Sequence, residues 1–345
     1  MEPNLFERNL QEIIPKTFNF PKDRPTKGYW GTAPTSEIHI GYFKPILKIA
    51  DLINSGCEMT ILLADLHAVL DNLKSSFELV EHRVVIYKAT ICAMLKLLNV
   101  DISKINFVLG SDFQLTKAYT IDVYKAHTLI SVNDAKHAGA EVVKSSDNPK
   151  ITGLMYPTLQ ALDEHYLGVD FSLGGIDQRK IEVHSDHILP KLGYKPIVHL
   201  FNPLVSGLRF VKKDPNVVVK MSASDVDAKI TLTCSNNMLK KKINKVYCLE
   251  KDVEDNSLLD LLEHIVFPIL TIQNKEFVIN RKEKFGGVLK YENFEQIRAD
   301  FANGLLHPGD FKLGMIDNLN EIISPIRAEF ELPEMKKLMK LAEYF

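Results

Sequence analysis

The stretch from Tyr156 to Lys180, YPTLQALDEHYLGVDFSLGGIDQRK, decides the fold because it combines helix and strand signals in a short span. Pro157 suits a first helical turn, where its missing N–H costs nothing, and Gly168 suits the position just past a helix end. The apolar run from Val169 to Leu173 has the length of a buried strand. A helix followed at once by a buried strand is typical of an α/β fold.

The segment after this strand would bring polar side chains to the strand's carboxyl end. Gly174-Gly175 permits a tight turn, and Ile176 to Leu189 predicts a second helix. Tyr156, Gln160 and Asp163 are spaced i, i+4 and i+7, so they share one face of the first helix. Open α/β sheets bind ligands at this edge, but an ordinary exposed helix face carries such side chains too. The spacing alone leaves both interpretations open.

The preceding part of the chain predicts a doubly wound, Rossmann-like parallel sheet. Further strands are predicted at Lys27 to Gly31, Met59 to Ala64 and Asn106 to Leu109. Alternating strands and helices require helices on both faces of the sheet. The helices predicted here are one within residues 1–20, one capped by Thr35 or Ser36 and running to Ser55, one from Phe77 to Asn99, and others across residues 116–144.

After Ser224 the helical signals continue without strand signals. A boundary near residues 230–234 predicts a Rossmann-like domain over residues 1–230 and a smaller, mostly helical domain over residues 231–345. The basic tract from Lys240 to Lys245 is typical of a solvated helix face. The helices predicted in this part are Ser235 to Lys245, Ser257 to Ile269, Tyr291 to Phe301, and Pro308 to Tyr344 with a break near Pro325.

The composition is that of an ordinary globular protein of 345 residues, with 46% hydrophobic and 25% charged side chains. The net charge of −2 means that a polyanionic partner would have to meet a local basic patch. The N-terminus is not a signal peptide, and no stretch approaches the ~20 apolar residues of a membrane span. The four cysteines form no CxxC pair, so we expect reduced thiols and a cytoplasmic protein: Cys57, Cys92, Cys234 and Cys248.

Two short segments elsewhere are typical of nucleotide chemistry. His39-Ile40-Gly41-Tyr42 follows the first predicted strand and opens a helix, where backbone N–H groups stabilise phosphate. Lys220-Met221-Ser222-Ala223-Ser224 carries an ammonium and hydroxyls that could close over a triphosphate. Taken singly, His39 could be a structural histidine, and the serines could cap a helix.

Three segments follow one another along the chain: His39 to Tyr42, Tyr156 to Lys180, and Lys220 to Ser224. In this order they resemble the class I tyrosyl-tRNA synthetases of the archaeal and eukaryotic type. The resemblance runs from Tyr29 to about Ile326 and weakens between Lys229 and Ile265. Residues 39–42 resemble the HIGH signature, with Tyr42 in place of the second histidine. Residues 220–224 resemble the KMSKS loop, with Ala223 in place of the second lysine.

The resemblance implies activation of L-tyrosine by Mg-ATP to tyrosyl-adenylate, with release of pyrophosphate, and transfer of the tyrosyl group to the 3′ end of tRNA(Tyr). A carboxylate is already a nucleophile at neutral pH, so catalysis would consist of positioning and electrostatic stabilisation by His39, Lys220 and Ser222. Magnesium would arrive with ATP, and no protein-bound metal or organic cofactor is expected. The implied ATP-binding residues are His39, Gly41, Tyr42, Gly175, Asp177, Lys220, Met221 and Ser222.

By the same resemblance, Asp163 accepts a hydrogen bond from the substrate phenol, with Tyr29 nearby. Tyr156, Gln160 and Gln178 would engage the substrate ammonium. His67 is placed near the pocket, although it could equally be a core histidine. The complete implied tyrosine pocket is Tyr29, Ala64, His67, Tyr156, Gln160, Asp163 and Gln178.

The resemblance also implies contacts with tRNA and the formation of a homodimer. It implies no association with a membrane. Phe285, in EKFGG, would stack on an anticodon base, and Asp310, in LHPGD beside His307, would accept from a guanine. Without the resemblance these segments are a turn and a proline-started helix. Lys136 and Arg179 would contact the acceptor end, next to His137, which stands where the family has arginine.

Two other functions remain as alternatives to a tyrosyl-tRNA synthetase. A tryptophanyl-tRNA synthetase can carry the same KMSAS loop, although Asp163 and the GGIDQRK segment argue against it. A non-catalytic RNA-binding relative is supported only by Tyr42 and Ala223.

Overall fold

The computed structural model describes residues 4–71, 75–143, 150–210 and 228–344. The strands are β1 (Glu12–Ile14), β2 (Lys27–Thr32), β3 (Glu58–Leu63), β4 (Ile105–Leu109), β5 (Phe171–Gly175), β6 (Val198–Asn202), β7 (Phe277–Ile279) and β8 (Leu289–Tyr291). Within the described ranges, a sheet of six strands has the order β1-β6-β5-β2-β3-β4. β1 is antiparallel to β6, and the other neighbouring pairs are parallel.

The sheet is a doubly wound parallel sheet, as the sequence predicts, because its strands are apolar and covered on both faces. β6 is buried along its whole length, and β3 is exposed only at its first residue, Glu58. The chain runs outward from β2 through β3 to β4 and then returns to the other side of β2 to form β5. The order therefore reverses between β2 and β5, where parallel sheets open a crevice at their carboxyl ends.

Helices cover the sheet and make up most of the chain after residue 228. None of those among the described residues is long and apolar enough to cross a membrane. The helices are α1 (Phe43–Asn54), α2 (Asp65–Leu70), α3 (Phe77–Leu97), α4 (Gly110–Gln114), α5 (Lys117–His127), α6 (Val132–Gly139), α7 (Ile151–Tyr166), α8 (Arg179–Ile188), α9 (Asn236–Lys245), α10 (Ser257–Leu261), α11 (Phe267–Ile272), α12 (Phe294–Asn303), α13 (Pro308–Phe330) and α14 (Pro333–Leu341).

The prediction of a helix within residues 1–20 is wrong. The described part, residues 4–20, forms turns and the edge strand β1, in which Ile13 pairs with Leu200 of β6. Pro15 has no N–H and interrupts a helix at this point. Phe6 packs its ring edge against Phe171 of β5, with ring centroids 5.5 Å apart, so tertiary packing draws the segment onto the sheet.

Two local predictions in the 156–180 stretch are also wrong. α7 begins at Ile151, so Pro157 lies inside the helix. Its ring packs against Gly139 of α6, where an added Cβ would lie 3.5 Å from the proline. Gly174-Gly175 forms no turn, because both residues belong to β5. Gly168 does end α7, with a left-handed φ of +63°.

The helical half contains strands that the sequence pattern did not predict. β7 and β8 pair antiparallel as a short hairpin around Gly286-Gly287, both of which have positive φ. α12 accordingly starts at Phe294 rather than at Tyr291. α13 runs without a break through Pro325, and the helix ends before Pro333 instead.

The hydrophobic core is continuous across residue 230. One cluster of buried side chains extends from Trp30 on β2 through Ile230 to Ala342 after α14. The C-terminal end also reaches back to the first half of the chain, because the Tyr344 hydroxyl donates to the Ser36 carbonyl at 3.0 Å. The helical half therefore packs directly against the segment that precedes His39.

Candidate active site

A cleft of about 390 Å³ opens at the carboxyl ends of β2 and β5, where the strand order reverses. Every residue that the sequence analysis assigned to tyrosine or ATP lines this one cleft, apart from those in the 220–222 segment. These residues are Tyr29, His39, Gly41, Tyr42, Ala64, His67, Tyr156, Gln160, Asp163, Gly175, Asp177 and Gln178.

Asp163 is a fully buried carboxyl group on the cleft wall, and its two oxygens differ. Oδ1 accepts hydrogen bonds from Gln114 Nε2 at 2.7 Å and from the Tyr119 hydroxyl at 2.8 Å. Oδ2 receives no hydrogen bond from any described residue. Burial raises the pKa of Asp163 to about 7, although the bonds from Gln114 and Tyr119 oppose this rise. The site therefore presents a buried acceptor to which a ligand hydroxyl can donate.

His67 faces the same point of the cleft from α2. Its Nε2 lies 4.0 Å from Asp163 Oδ2, and this nitrogen also lacks a partner among the described residues. Burial lowers the pKa of His67 to about 4, so the ring is neutral at physiological pH. The ring packs edge-on against Tyr156 with centroids 4.6 Å apart, which places both aromatic side chains in the wall.

Gln160 and Gln178 form the polar part of the cleft next to Tyr29. Gln160 Nε2 donates to Gln178 Oε1 and to Glu182 Oε1, both at 3.3 Å. The glycines of β5 explain why Asp177 and Gln178 approach the sheet so closely. A Cβ on Gly175 would lie 2.4 Å from Asp177 Oδ1, so a larger residue there would displace the Asp177 side chain.

His39 lines the same cleft at the N-terminus of a short helical turn that leads into α1. Its Nδ1 accepts the Gly41 N–H at 3.2 Å, so the proton of the neutral ring is on Nε2. Burial lowers the pKa of His39 to about 4. His39, rather than Thr35 or Ser36, is thus the capping residue, and it keeps one N–H donor for a ligand.

Tyr42 occupies the last position of the HIGH-like segment and packs its ring edge against His39 at 5.1 Å between centroids. Its hydroxyl lies 3.4 Å from the Tyr87 hydroxyl, which donates to the Ser36 carbonyl at 2.6 Å. Tyr42 therefore supports the His39 segment through a hydroxyl relay.

The residues of the KMSAS segment, Lys220 to Ser224, lie outside the described residues. The described flanks meet, because Leu208 N donates to the Ala228 carbonyl at 2.9 Å. The returning chain then pairs with the His39 segment, with Ile40 N donating to the Ile230 carbonyl at 2.8 Å. The described residues on either side of 211–227 are therefore hydrogen-bonded to each other, and the second flank is also bonded to the His39 segment.

Below Gln160 lies a group that could hold a metal ion, formed by Glu164, Glu182 and His199. Their ligating atoms lie within 4.8 Å of one another, and all three residues are buried. The cluster already contains protein hydrogen-bond donors, because Ser172 Oγ lies 3.2 Å from Glu182 and 2.9 Å from His199 Nδ1.

The residues assigned to the acceptor end of a tRNA flank a second cavity of about 390 Å³ between α6 and α8. Arg179 lines it and is held by Glu12 of β1 through hydrogen bonds of 2.7 and 3.0 Å. Lys136 is exposed on α6 beside it. Its lining also contains His137, Lys180, His184, His187 and Lys191, together with the carboxylate of Asp134. Lys180 is paired with Glu141 at 2.9 Å.

The residues assigned to the anticodon meet at the β7–β8 hairpin. Phe285 is 58% exposed, and the Lys284 ammonium lies 4.9 Å from the centre of its ring. His307 caps α13 by accepting from Gly309 N at 3.0 Å. Arg281 joins the two segments, because it donates to the Gly287 carbonyl at 3.0 Å and lies 3.5 Å from Asp310 Oδ2.

Sequence reasoning missed Gln114, Tyr119 and Glu182. Gln114 and Tyr119 reach Asp163 from α4 and α5, and no spacing in the sequence links those helices to α7. Glu182 lines the cleft and lies four residues after Gln178, so the helical period could have placed it on the same face.

Comparison with known proteins agrees with this geometry. The family model described as tRNA synthetases class I (W and Y) matches residues 21–324. A cytoplasmic tyrosine–tRNA ligase of Saccharomyces cerevisiae is 46% identical over 96% of this chain and 85% of its own. One from Xenopus laevis is 46% identical over 97% of this chain, which spans only 61% of the frog protein.

A solved tyrosyl-tRNA synthetase from Archaeoglobus fulgidus, complexed with L-tyrosine, superposes with a TM-score of 0.81 at 34% identity. The alignment covers 94% of this chain and 97% of the archaeal chain. Because the family model and these relatives match nearly the whole chain, the protein belongs to the class I tRNA synthetases of the W and Y family.

Proposed function

We propose that this protein is a tyrosine–tRNA ligase that activates L-tyrosine with ATP and transfers the tyrosyl group to tRNA(Tyr). The observation that carries the proposal is Asp163 Oδ2, a buried carboxylate oxygen on the cleft wall with no donor among the described residues. A substrate phenol supplies the missing donor, whereas phenylalanine leaves the oxygen buried without a hydrogen bond. The tyrosine–tRNA ligases among its relatives support the same assignment.

The tyrosine pocket extends from Asp163 to the two glutamines. Tyr29 and His67 lie beside the phenol position, and Ala64 is small enough to leave room for the ring. Tyr156, Gln160 and Gln178 surround the ammonium. This orientation directs the substrate carboxylate toward His39, at the end of the cleft where the nucleotide binds.

The carboxylate attacks the α-phosphate of ATP and pyrophosphate leaves. His39 donates from Nε2 to a phosphate oxygen, and Gly41, which has no side chain, lets the nucleotide approach the backbone at this point of the cleft. Tyr42, Gly175 and Asp177 bind the adenosine part of ATP, with the Asp177 carboxylate accepting from the ribose. We assign Lys220, Met221 and Ser222, which lie outside the described residues, to the ATP phosphates, and magnesium arrives with the nucleotide.

For the tRNA, we assign the acceptor end to the cavity at Arg179 and Lys136, and the anticodon to Phe285, His307 and Asp310. On this view, residues 1–230 form the catalytic domain and residues 231–345 the anticodon-binding domain. The ring of Phe285 is exposed and can stack on a splayed base.

Replacing Asp310 by alanine separates recognition of the anticodon from support of a helix. If Asp310 accepts from a guanine, we expect the variant to lose about 1–3 kcal/mol of discrimination at that base, with normal ATP–pyrophosphate exchange. The measurement is kcat/KM for charging tRNA transcripts with guanine or adenine at the first anticodon position.

Glu334→Ala is the matched control, because Glu334 occupies the first turn of α14 and should lose only ~0.3–1 kcal/mol of helix stabilisation. If the Asp310→Ala variant charges tRNA with an undiminished preference for guanine, then Asp310 only stabilises the first turn of α13 and its contact with Arg281.

We propose that the protein is a homodimer. Leu115, Tyr124 and Ile151 are large apolar side chains that are each more than half exposed around α5 and α7. Apolar surface of this kind is typical of a subunit interface. We assign the protein to the cytoplasm, where its eukaryotic relatives are named.

Charging of tRNA tests the complete function. The purified chain should attach labelled tyrosine to a tRNA(Tyr) transcript in an ATP-dependent reaction, and the bond should be labile to mild base, as an ester is. Failure to charge the transcript, with normal formation of tyrosyl-adenylate, would limit the function to amino-acid activation.

A further inference from the structure

A buried network of ionisable groups lies directly beneath the amide of Gln160. His199 of β6 is fully buried, with its Nδ1 3.0 Å from Glu182 Oε2 and its Nε2 3.1 Å from Asp186 Oδ1. Glu164 lies against Glu182 and accepts from the Ser185 hydroxyl. Only Glu182 of this group also lines the substrate cleft.

The charges of the network follow from its contacts. Burial alone would lower the pKa of His199, but its bonds to Asp186 and Glu182 raise that pKa to about 11, so the ring is an imidazolium. Burial would likewise raise the pKa of Glu182, but His199 lowers it below the usual value. Burial and the neighbouring Glu182 raise the pKa of Glu164 well above its usual value. Glu182 is therefore the charged carboxylate next to the cleft.

A carboxylate at this position fixes which end of the Gln160 amide faces the cleft. Glu182 Oε1 and Gln178 Oε1 both accept from Gln160 Nε2, at 3.3 Å each, so both hydrogens of that nitrogen are used. Glu182 has no proton to donate, and rotation of the amide would bring two oxygens together. The carbonyl oxygen of Gln160 is left for a ligand, and an ammonium needs an acceptor of this kind.

We infer that Glu182, held by His199, is a positioning residue that orients Gln160 toward the α-ammonium of the substrate and adds negative charge beneath it. The inference rests on the proposed binding of tyrosine and deepens it, because it names a residue that selects amino acids over their deaminated analogues. Glu182 acts through Gln160 and takes no part in the chemical step.

The test compares L-tyrosine with 3-(4-hydroxyphenyl)propanoate, which has the same phenol and carboxylate but no amino group. Binding of each ligand is measured by calorimetry to the wild-type protein and to Glu182→Gln. In Glu182→Gln the neutral amide can donate to Gln160, which is then able to rotate. We expect L-tyrosine to bind at least ~10-fold more weakly, and the deaminated analogue to change by less than about 2-fold. In the exchange reaction, KM for tyrosine should rise while kcat stays nearly constant.

Glu164→Gln is the matched control. It replaces a carboxyl group with an amide of the same shape in the same buried cluster, at a residue that does not line the cleft, and it should keep the wild-type preference for L-tyrosine. His199→Gln removes the cation that stabilises the Glu182 carboxylate and should reproduce the loss seen in Glu182→Gln. Thermal melting of each variant shows whether the fold is retained.

The possible failures are distinguishable. If the wild-type protein binds neither ligand, the proposed function fails. If the wild-type protein prefers L-tyrosine and Glu182→Gln keeps that preference, the role of Glu182 is overturned. The role is also overturned if Glu164→Gln loses the preference as much as Glu182→Gln does, because the cluster then contributes only packing. A stoichiometric metal ion found in the purified protein by mass spectrometry, and lost from Glu164→Gln, would also overturn it.

Discussion

Replacement of Asp163 by asparagine is expected to lower kcat/KM for tyrosine activation at pH 8 by about 10- to 100-fold, because at that pH it exchanges an ionised carboxyl group, the acceptor of the phenol, for a neutral amide. Gln114 and Tyr119 can still donate to the remaining oxygen, so the surroundings are kept. The ratio of kcat/KM for tyrosine to that for phenylalanine should fall, since phenylalanine makes no bond with Asp163. ATP–pyrophosphate exchange with each amino acid measures both quantities.

The same variant should be more stable than the wild-type protein without ligand. The pKa of Asp163 rises to about 7 in the folded protein, so between pH 4 and pH 7 the folded state holds a proton that the unfolded chain releases. The free energy of unfolding of the wild-type protein therefore falls as the pH rises through this interval. The stability gained by Asp163→Asn, measured by urea unfolding, should be larger at pH 8 than at pH 5. Equal gains at both pH values, with unchanged exchange kinetics, would refute the assignment of Asp163.

Replacement of His39 by alanine is expected to reduce the rate of adenylate formation by about 10²–10³-fold, the usual cost of removing one donor to a developing charge. Tyrosine affinity should change little, because the proposed role of His39 is to bind the phosphates of ATP and not tyrosine. Single-turnover formation of tyrosyl-adenylate measures the rate, and equilibrium binding measures the affinity. Since the pKa of His39 is about 4, its ring stays neutral and adds no titration between pH 6 and pH 8.

His39→Asn controls for the loss of the helix cap. Asparagine can accept the Gly41 N–H as the imidazole does, but its side chain is too short to place a donor where Nε2 lies. We expect it to keep the stability of the wild-type protein and to lose most of the rate. A normal rate in His39→Asn would show that His39 acts through its cap.

The sequence predicts the parallel sheet well because its strands are buried on both faces and carry continuous apolar runs. β3 and β4 lie within one residue of their predicted starts. The strands β1, β6, β7 and β8 were missed. Three of them, β1, β7 and β8, are only three residues long and are held by tertiary pairing. The apolar periodicity of so short a segment does not distinguish a strand from a helix. β6 is longer and fully buried, but His199 interrupts its apolar run.

The cleft is predicted in part. Spacing on α7 placed Tyr156, Gln160 and Asp163 on one face, and all three line the cleft. The groups that set the charge of the cleft come from elements distant in sequence. Tyr119 is 44 residues from Asp163, and His199 is 17 residues after Glu182, so only the folded sheet reveals their contacts.

The most direct test of the account is amino-acid-dependent ATP–pyrophosphate exchange by the wild-type protein with tyrosine, tryptophan and phenylalanine. The account predicts rapid exchange with tyrosine, exchange with phenylalanine that is lower by at least ~100-fold in kcat/KM, and none with tryptophan. Exchange that favours tryptophan, equal rates with tyrosine and phenylalanine, or no exchange with any of the three would contradict it.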